Sequence, residues 1–191
     1  MKTVFTDVLR DVAPRAVTDV FQSYEVRLKE RRPAPTAALV HEVAAGAAIV
    51  AAVVGFNGSD LRGTALLATT FELAALARPA SLRKVPLSAS TASDWIIVRN
   101  WAGELCNQVI GRIKNKLNRN GIALDVSPPA AFSGSALTFA LPKSPAAYHF
   151  VFGTDHHTVW FCFDAQLDAG RPVAAGAVDK GAGEGKVIVF D

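Results

Sequence analysis

Residues 93–119 constrain this chain more than any other stretch, because apolar side chains recur there at helical spacing over a length that a long helix satisfies. At 100° per residue, Trp95, Val98, Ala102, Leu105, Cys106, Val109, Ile113 and Leu117 fall on one side. Ser93, Ile97, Asn100, Glu104, Asn107, Gln108, Gly111, Asn115 and Asn118 fall on the other. Ser93 or Asp94 is placed to cap the start, and Gly121 to end the helix.

Strand signals lie on both sides of it. Ala37 to Ala44, Ala47 to Phe56 and Leu61 to Thr69 read as strands. Asn57-Gly58 between the last two is a hairpin signal, since both residues tolerate positive φ. A short helix is expected over 71–78, ended by Pro79, and then a loop over 80–90. After the long helix, Ile122 to Val126 and Ala136 to Ala140 are strand candidates. Tyr148 to Phe152 and Thr158 to Phe163 form a hairpin around Gly153-Thr-Asp-His-His157. Residues 3–27 carry a helical pattern, which Pro14 breaks, kinks or restarts. Arg31 to Pro35 is expected to be a loop. The order is helix, strands, helix, strands, with no strong internal repeat. One domain is expected over 1–167, followed by a Gly/Ala-rich tail over 168–191 in which Lys186 to Phe190 can add an edge strand.

At 50% hydrophobic and 19% charged residues, the chain has the composition of a folded globular protein. A net charge of +3, with no long Lys/Arg run, argues against nucleic acid as a partner. Lys29-Glu30-Arg31-Arg32 is short and mixed, and is expected to be a solvated loop. Val43 to Phe56, the longest apolar stretch, is shorter than the ~20 residues a membrane helix needs. The first residues carry charges where a secretory signal needs an apolar run. The two cysteines, Cys106 and Cys162, are far apart and read as reduced thiols. A cytoplasmic protein away from the membrane is the expectation.

The polar side of the long helix is unusual for a merely solvated face. It uses Asn100, Asn107, Asn115 and Asn118, each costing about half a kcal/mol against Ala. It includes Gly111, which costs about 1 kcal/mol inside a helix. Glu104 and Asn107 sit three residues apart and so share a face. An acid beside an amide suits docking on another protein and positioning a water, and is poorly suited to holding a metal or forming a covalent intermediate. Gly111, one turn after Asn107, leaves a gap that a partner's backbone can approach. Asn100, Gln108, Gly111 and Asn115 are therefore the expected partner-binding residues around that pair.

Other motifs have plainer readings. Cys106 points inward on the wheel and Cys162 alternates into a strand, so both are expected in the core. Asp155-His156-His157 reads as a polar hairpin turn, because adjacent side chains on a strand point to opposite sides. His41 is isolated, and no His/Cys/Asp/Glu set has metal-ligand spacing. Gly181 to Lys186 fails as a phosphate loop, with Lys180 where glycine is needed and Val187 where Ser or Thr is needed. Ser133 has no histidine placed for a triad.

Gly103-Glu-Leu-Cys-Asn-Gln-Val-Ile-Gly111 resembles the signature of the CheX/CheC/FliY family of response-regulator phosphatases: Glu, two residues, Asn, then Gly four on. Gly121-Ile-Ala-Leu-Asp-Val-Ser-Pro-Pro129 with Gly134 resembles the family's strand, Ser-x-Pro and Gly after the long helix. Val54-Gly55-Phe56 and Leu61-Arg-Gly-Thr-Ala-Leu-Leu67 resemble its Gly-Phe hairpin. The resemblance spans about residues 5–165. It implies an α+β, CheC/CheX-like fold with helices packed on an extended, mainly antiparallel sheet. It implies hydrolysis of the aspartyl-phosphate of a CheY-like receiver, with Glu104 pairing a receiver lysine and Asn107 orienting the attacking water. Mg²⁺ would come with the receiver, and this chain would need no cofactor of its own. Many relatives carry a second Glu-x-x-Asn on the first helix. Thr18 to Tyr24 has no Asn, so one site is expected, as in the CheX type. A homodimer through the sheet edge is a further implication. The competing reading is a non-catalytic module of the same fold, docking on a receiver, a flagellar switch component or a deamidase. A purely structural domain would instead bury Glu104 in hydrogen bonds inside the fold.

Overall fold

The computed structural model describes residues 5–31, 47–58, 61–135, 137 and 147–167. The expected strand at 37–44, His41, the 168–191 tail with its Gly181–Lys186 run, and nearly all of 136–140 lie outside them. Among the described residues three α-helices, α1 (Phe5–Ser23), α2 (Phe71–Leu76) and α3 (Ala92–Arg119), accompany seven strands. The strands are β1 (Lys29–Arg31), β2 (Ile49–Asn57), β3 (Leu61–Thr70), β4 (Asp125–Val126), β5 (Ala130–Gly134), β6 (Ala147–Gly153) and β7 (Thr158–Leu167). They form one sheet in the order β1-β6-β7-β3-β2-β4, with β5 also on β2, and every pairing is antiparallel. This is the expected α+β architecture.

The alternation of strand side chains decides where the helices lie. Ala52, Val54, Phe56, Ala65, Leu67, Phe152, Phe161 and Phe163 join Leu9, Val17, Val20 and Phe21 of α1 and Leu105, Val109, Ile113 and Leu117 of α3 in one buried core. The sheet's other face carries a second cluster of Ile49, Ala51, Ala68, Val151 and Trp160. Gly63 faces Phe56 in β2 and Ala165 in β7. A Cβ there would lie 1.9 Å from the Asp164 carbonyl oxygen and 2.8 Å from Phe56 Cζ, so only glycine fits. Beside it, Phe56 and Phe163 stack with centroids 4.6 Å apart.

Several local expectations change. α1 runs unbroken through Pro14 and ends at Ser23, before the end of the 3–27 pattern. Lys29–Arg31 is an edge strand on β6 and not a loop. All three of its side chains are exposed, so backbone pairing forms the strand without an apolar alternation to announce it. The strand expected over 122–126 shrinks to its last two residues, while β5 follows where none was expected. Val126 faces Phe56 whereas Ala130 faces Val53, so four steps on one strand match three on the other. Ser127-Pro128-Pro129 is thus a bulge in one continuous edge along β2.

The ends of α3 are fixed by its neighbours. Thr91, not Ser93 or Asp94, holds the cap position, and it makes no side-chain capping bond. Asp94 instead accepts from the Ser88 N–H at 2.8 Å, which holds its carboxyl below the ordinary value. Gly121, at φ 79°, closes the helix as expected. Its N–H donates to Asn118 and the Ile122 N–H to Leu117, both at 3.0 Å.

Candidate functional site

α3 lies across the sheet and the end of α1, and its sequence-derived wheel matches the burial seen. Val98, Ala102, Leu105, Cys106, Val109, Ile113 and Leu117 are buried, while Asn100, Glu104, Asn107 and Asn115 are exposed. Glu104 and Asn107 stand one turn apart on that open face. Asn107 makes no side-chain hydrogen bond among the described residues, so its amide donors and carbonyl acceptor are free for a partner or a water. A Cβ placed on Gly111 would meet nothing within 4 Å, which leaves the expected gap beside the pair.

Gln108 is held inward. It is half-buried, with its amide Nε2 2.9 Å and its Oε1 3.0 Å from the Tyr24 hydroxyl. The same Nε2 donates to Glu104 Oε1 at 3.2 Å. Among the described residues this is the one side-chain hydrogen bond to Glu104, which is exposed, unlike a carboxylate buried in a purely structural domain. Nearby, Arg112 of α3 lies 3.8 Å from Asp19 of α1, a second polar link between the two helices. Tyr24 was not singled out from sequence; the only cue was its apolar-face position at the end of the first helical pattern.

Cys106 is fully buried with its Sγ 3.6 Å from the Ala52 carbonyl, and burial pushes its thiol up to about 12. Cys162 is buried too and reaches about 12 for the same reason, with Asp164 adding to it. Asp155-His156-His157 is a hairpin turn. The N–H groups of both histidines donate to Thr154 Oγ1, and His157 Nδ1 lies 3.1 Å from Thr70 Oγ1. Among the described residues, no group of three His, Cys, Asp or Glu could hold a metal ion, and no helix is long and apolar enough to cross a membrane.

The family model described as chemotaxis phosphatase CheX matches residues 50–153, the stretch that carries all but the first residue of β2 and the whole of β3, α3 and β6. No curated protein matches the chain. The fold is similar to the chemotaxis protein CheX from Vibrio vulnificus, at 18% identity and a TM-score of 0.65 over 82% of this chain and 95% of that one. It is similar to a CheC-like superfamily protein from Shewanella sp. PV-4, at 20% identity and a TM-score of 0.64 over 83% and 97% of the two chains. It is also similar to a chain in the complex of CheX with CheY, BeF3 and Mg²⁺ from Borrelia burgdorferi, at 17% identity and a TM-score of 0.65 over 82% and 97%.

Proposed function

The chain belongs to the CheX family of chemotaxis phosphatases, and from that membership we propose that it hydrolyses the aspartyl-phosphate of a CheY-like receiver, with Glu104 and Asn107 as the working pair. One observation carries the assignment of residues. Glu104 and Asn107 are exposed one turn apart on α3, and the Asn107 carboxamide makes no hydrogen bond among the described residues. The similar Borrelia protein is in complex with CheY, which supports a receiver as the partner.

The chemistry asked of this chain is positioning. An aspartyl-phosphate is already an activated acyl phosphate, and its hydrolysis needs a water in line with the bond to phosphorus. A carboxamide can accept from that water through its carbonyl and donate through its NH₂ group, which fixes the water's orientation. Holding two reactants in a reactive geometry removes much of the entropic part of the barrier. Glu104 supplies a negative charge one turn away, suited to pairing with a lysine of the receiver and setting the depth at which Asn107 enters. Asn100 and Asn115 extend the polar face along the helix, and Gly111 lets the partner's backbone approach. The divalent cation that screens the phosphoryl oxygens would arrive with the receiver.

The experiment is phosphate release from a phosphorylated receiver, with and without the protein. Acceleration is expected with the wild type. Asn107→Ala should abolish it while keeping much of the binding, and Glu104→Ala should weaken binding. Full turnover by Asn107→Ala would overturn the mechanism. No acceleration of any receiver, with binding retained, would establish a docking module instead.

A further inference from the structure

We infer that Tyr24 and Gln108 are positioning residues that set the Glu104 carboxylate before the partner arrives, an inference that rests on the reading of Glu104 given above. Tyr24 lies 84 residues before Gln108, yet its hydroxyl is within 3.0 Å of both amide heteroatoms of that side chain. Gln108 passes the contact on, donating to Glu104 Oε1 at 3.2 Å. The chain of bonds runs from α1 to the outer face of α3. Hydrogen bonds in such a chain polarise one another.

The far end of the relay is packed and hydrogen-bonded. The Tyr24 ring meets Trp101 edge-on at 5.3 Å, and Trp101 Nε1 donates to the Ala77 carbonyl at 2.5 Å. The backbone beside Tyr24 is closed as well. Glu25 takes φ 65°, and the Val26 N–H donates to the Phe21 carbonyl at 3.0 Å. Those bonds end α1, and the Tyr24 ring is directed toward α3 by its contacts with Trp101 and Gln108. A glutamate alone on an exposed helix face samples several rotamers, and docking must freeze them. Gln108 biases Glu104 toward one of them, so part of that ordering cost is met in the free protein. The first helix has no Glu-x-x-Asn of its own here, and the turn that follows it reaches the pair on α3 through Tyr24.

Tyr24→Phe tests this, because it keeps the ring on Trp101 and removes only the hydroxyl. Phosphate release from the phosphorylated receiver is measured at varied receiver concentration for the wild type, Tyr24→Phe, Gln108→Ala, Glu104→Ala and the double variant Tyr24→Phe/Glu104→Ala. The expected result is KM raised about threefold or more in Tyr24→Phe and Gln108→Ala, with kcat unchanged, since Glu104 contributes binding and not chemistry. Adding Tyr24→Phe to Glu104→Ala should change nothing further, because the relay then has no terminus. A KM equal to wild type, a fall in kcat alone, or the same loss in both backgrounds would overturn the inference and leave the hydroxyl a packing contact between helices. If wild type and Asn107→Ala behave as proposed while Tyr24→Phe does not, only this inference falls. If the wild type fails to accelerate release, the assignment of the pair falls and this one with it.

Discussion

Gly55 and Ser127 hold each other by two hydrogen bonds, the Gly55 N–H donating to Ser127 Oγ and the Ser127 N–H donating to the Gly55 carbonyl, each at 2.9 Å. The pair sits at the bulge where the edge strand changes register between β4 and β5. The serine hydroxyl supplies Gly55 with an acceptor at the bulge, where the regular ladder is interrupted. Ser127→Ala should lower stability by about 1 kcal/mol, the ordinary worth of one such bond at an exposed edge. Urea unfolding should show a lower midpoint with an unchanged slope.

Gly111 invites a substitution whose two effects run in opposite directions. Space is open around its missing Cβ, so Gly111→Ala should stabilise the protein by about 1 kcal/mol through helix propensity alone. Gly111→Gln should also stabilise, yet raise KM for the receiver, because its side chain fills the gap beside Asn107. Thermal unfolding and steady-state kinetics on the same samples separate the two effects.

The cysteines should be chemically silent. Burial pushes both Cys106 and Cys162 up to about 12, and the thiolate is the reactive form. Native protein treated with iodoacetamide at about pH 8, below the ordinary thiol value, should stay unmodified by mass. Unfolded protein should take up two labels, one per cysteine.

His149 gives stability an acid limit. Burial among the strands lowers its pKa from the ordinary value, with Asp164 opposing the shift, and its Nδ1 has no partner among the described residues. The folded state therefore prefers the neutral ring. The unfolded chain binds the proton first as pH falls, so this contribution is complete above about 6.5 and is lost below it. Stability measured from about pH 7.5 to 5 should fall, across the range where a free imidazole titrates. His149→Gln should flatten that part of the slope.

What the sequence disclosed follows from where each signal is stored. α3 was legible because burial on one side imposes a period, and its cap was legible because Gly121 must take positive φ. The shared exposed face of Glu104 and Asn107 was legible because their relation is local, three residues along one helix. β1 was missed because an edge strand of Lys29, Glu30 and Arg31 is held by backbone bonds that leave no trace in side-chain type. β5 was missed because Phe132 is exposed and two prolines precede the strand, which reads as a loop. The inward commitment of Gln108 was hidden because its partner, Tyr24, is fixed by a helix end and an aromatic contact that no local pattern encodes.

Because Glu104 and Asn107 share one helix, their mutual distance is set by the pitch of the backbone and not by any tertiary contact. Loosening at the sheet's edges, or drift in how the strands pack, moves the two side chains together as one tool. The surrounding fold governs only how that tool is presented: its tilt, its exposure and the rest position of its acid. On the proposed mechanism, winding of α3 alone keeps the pair's spacing intact, so the first loss expected on warming is the grip on the partner, with turnover of captured receiver fading later.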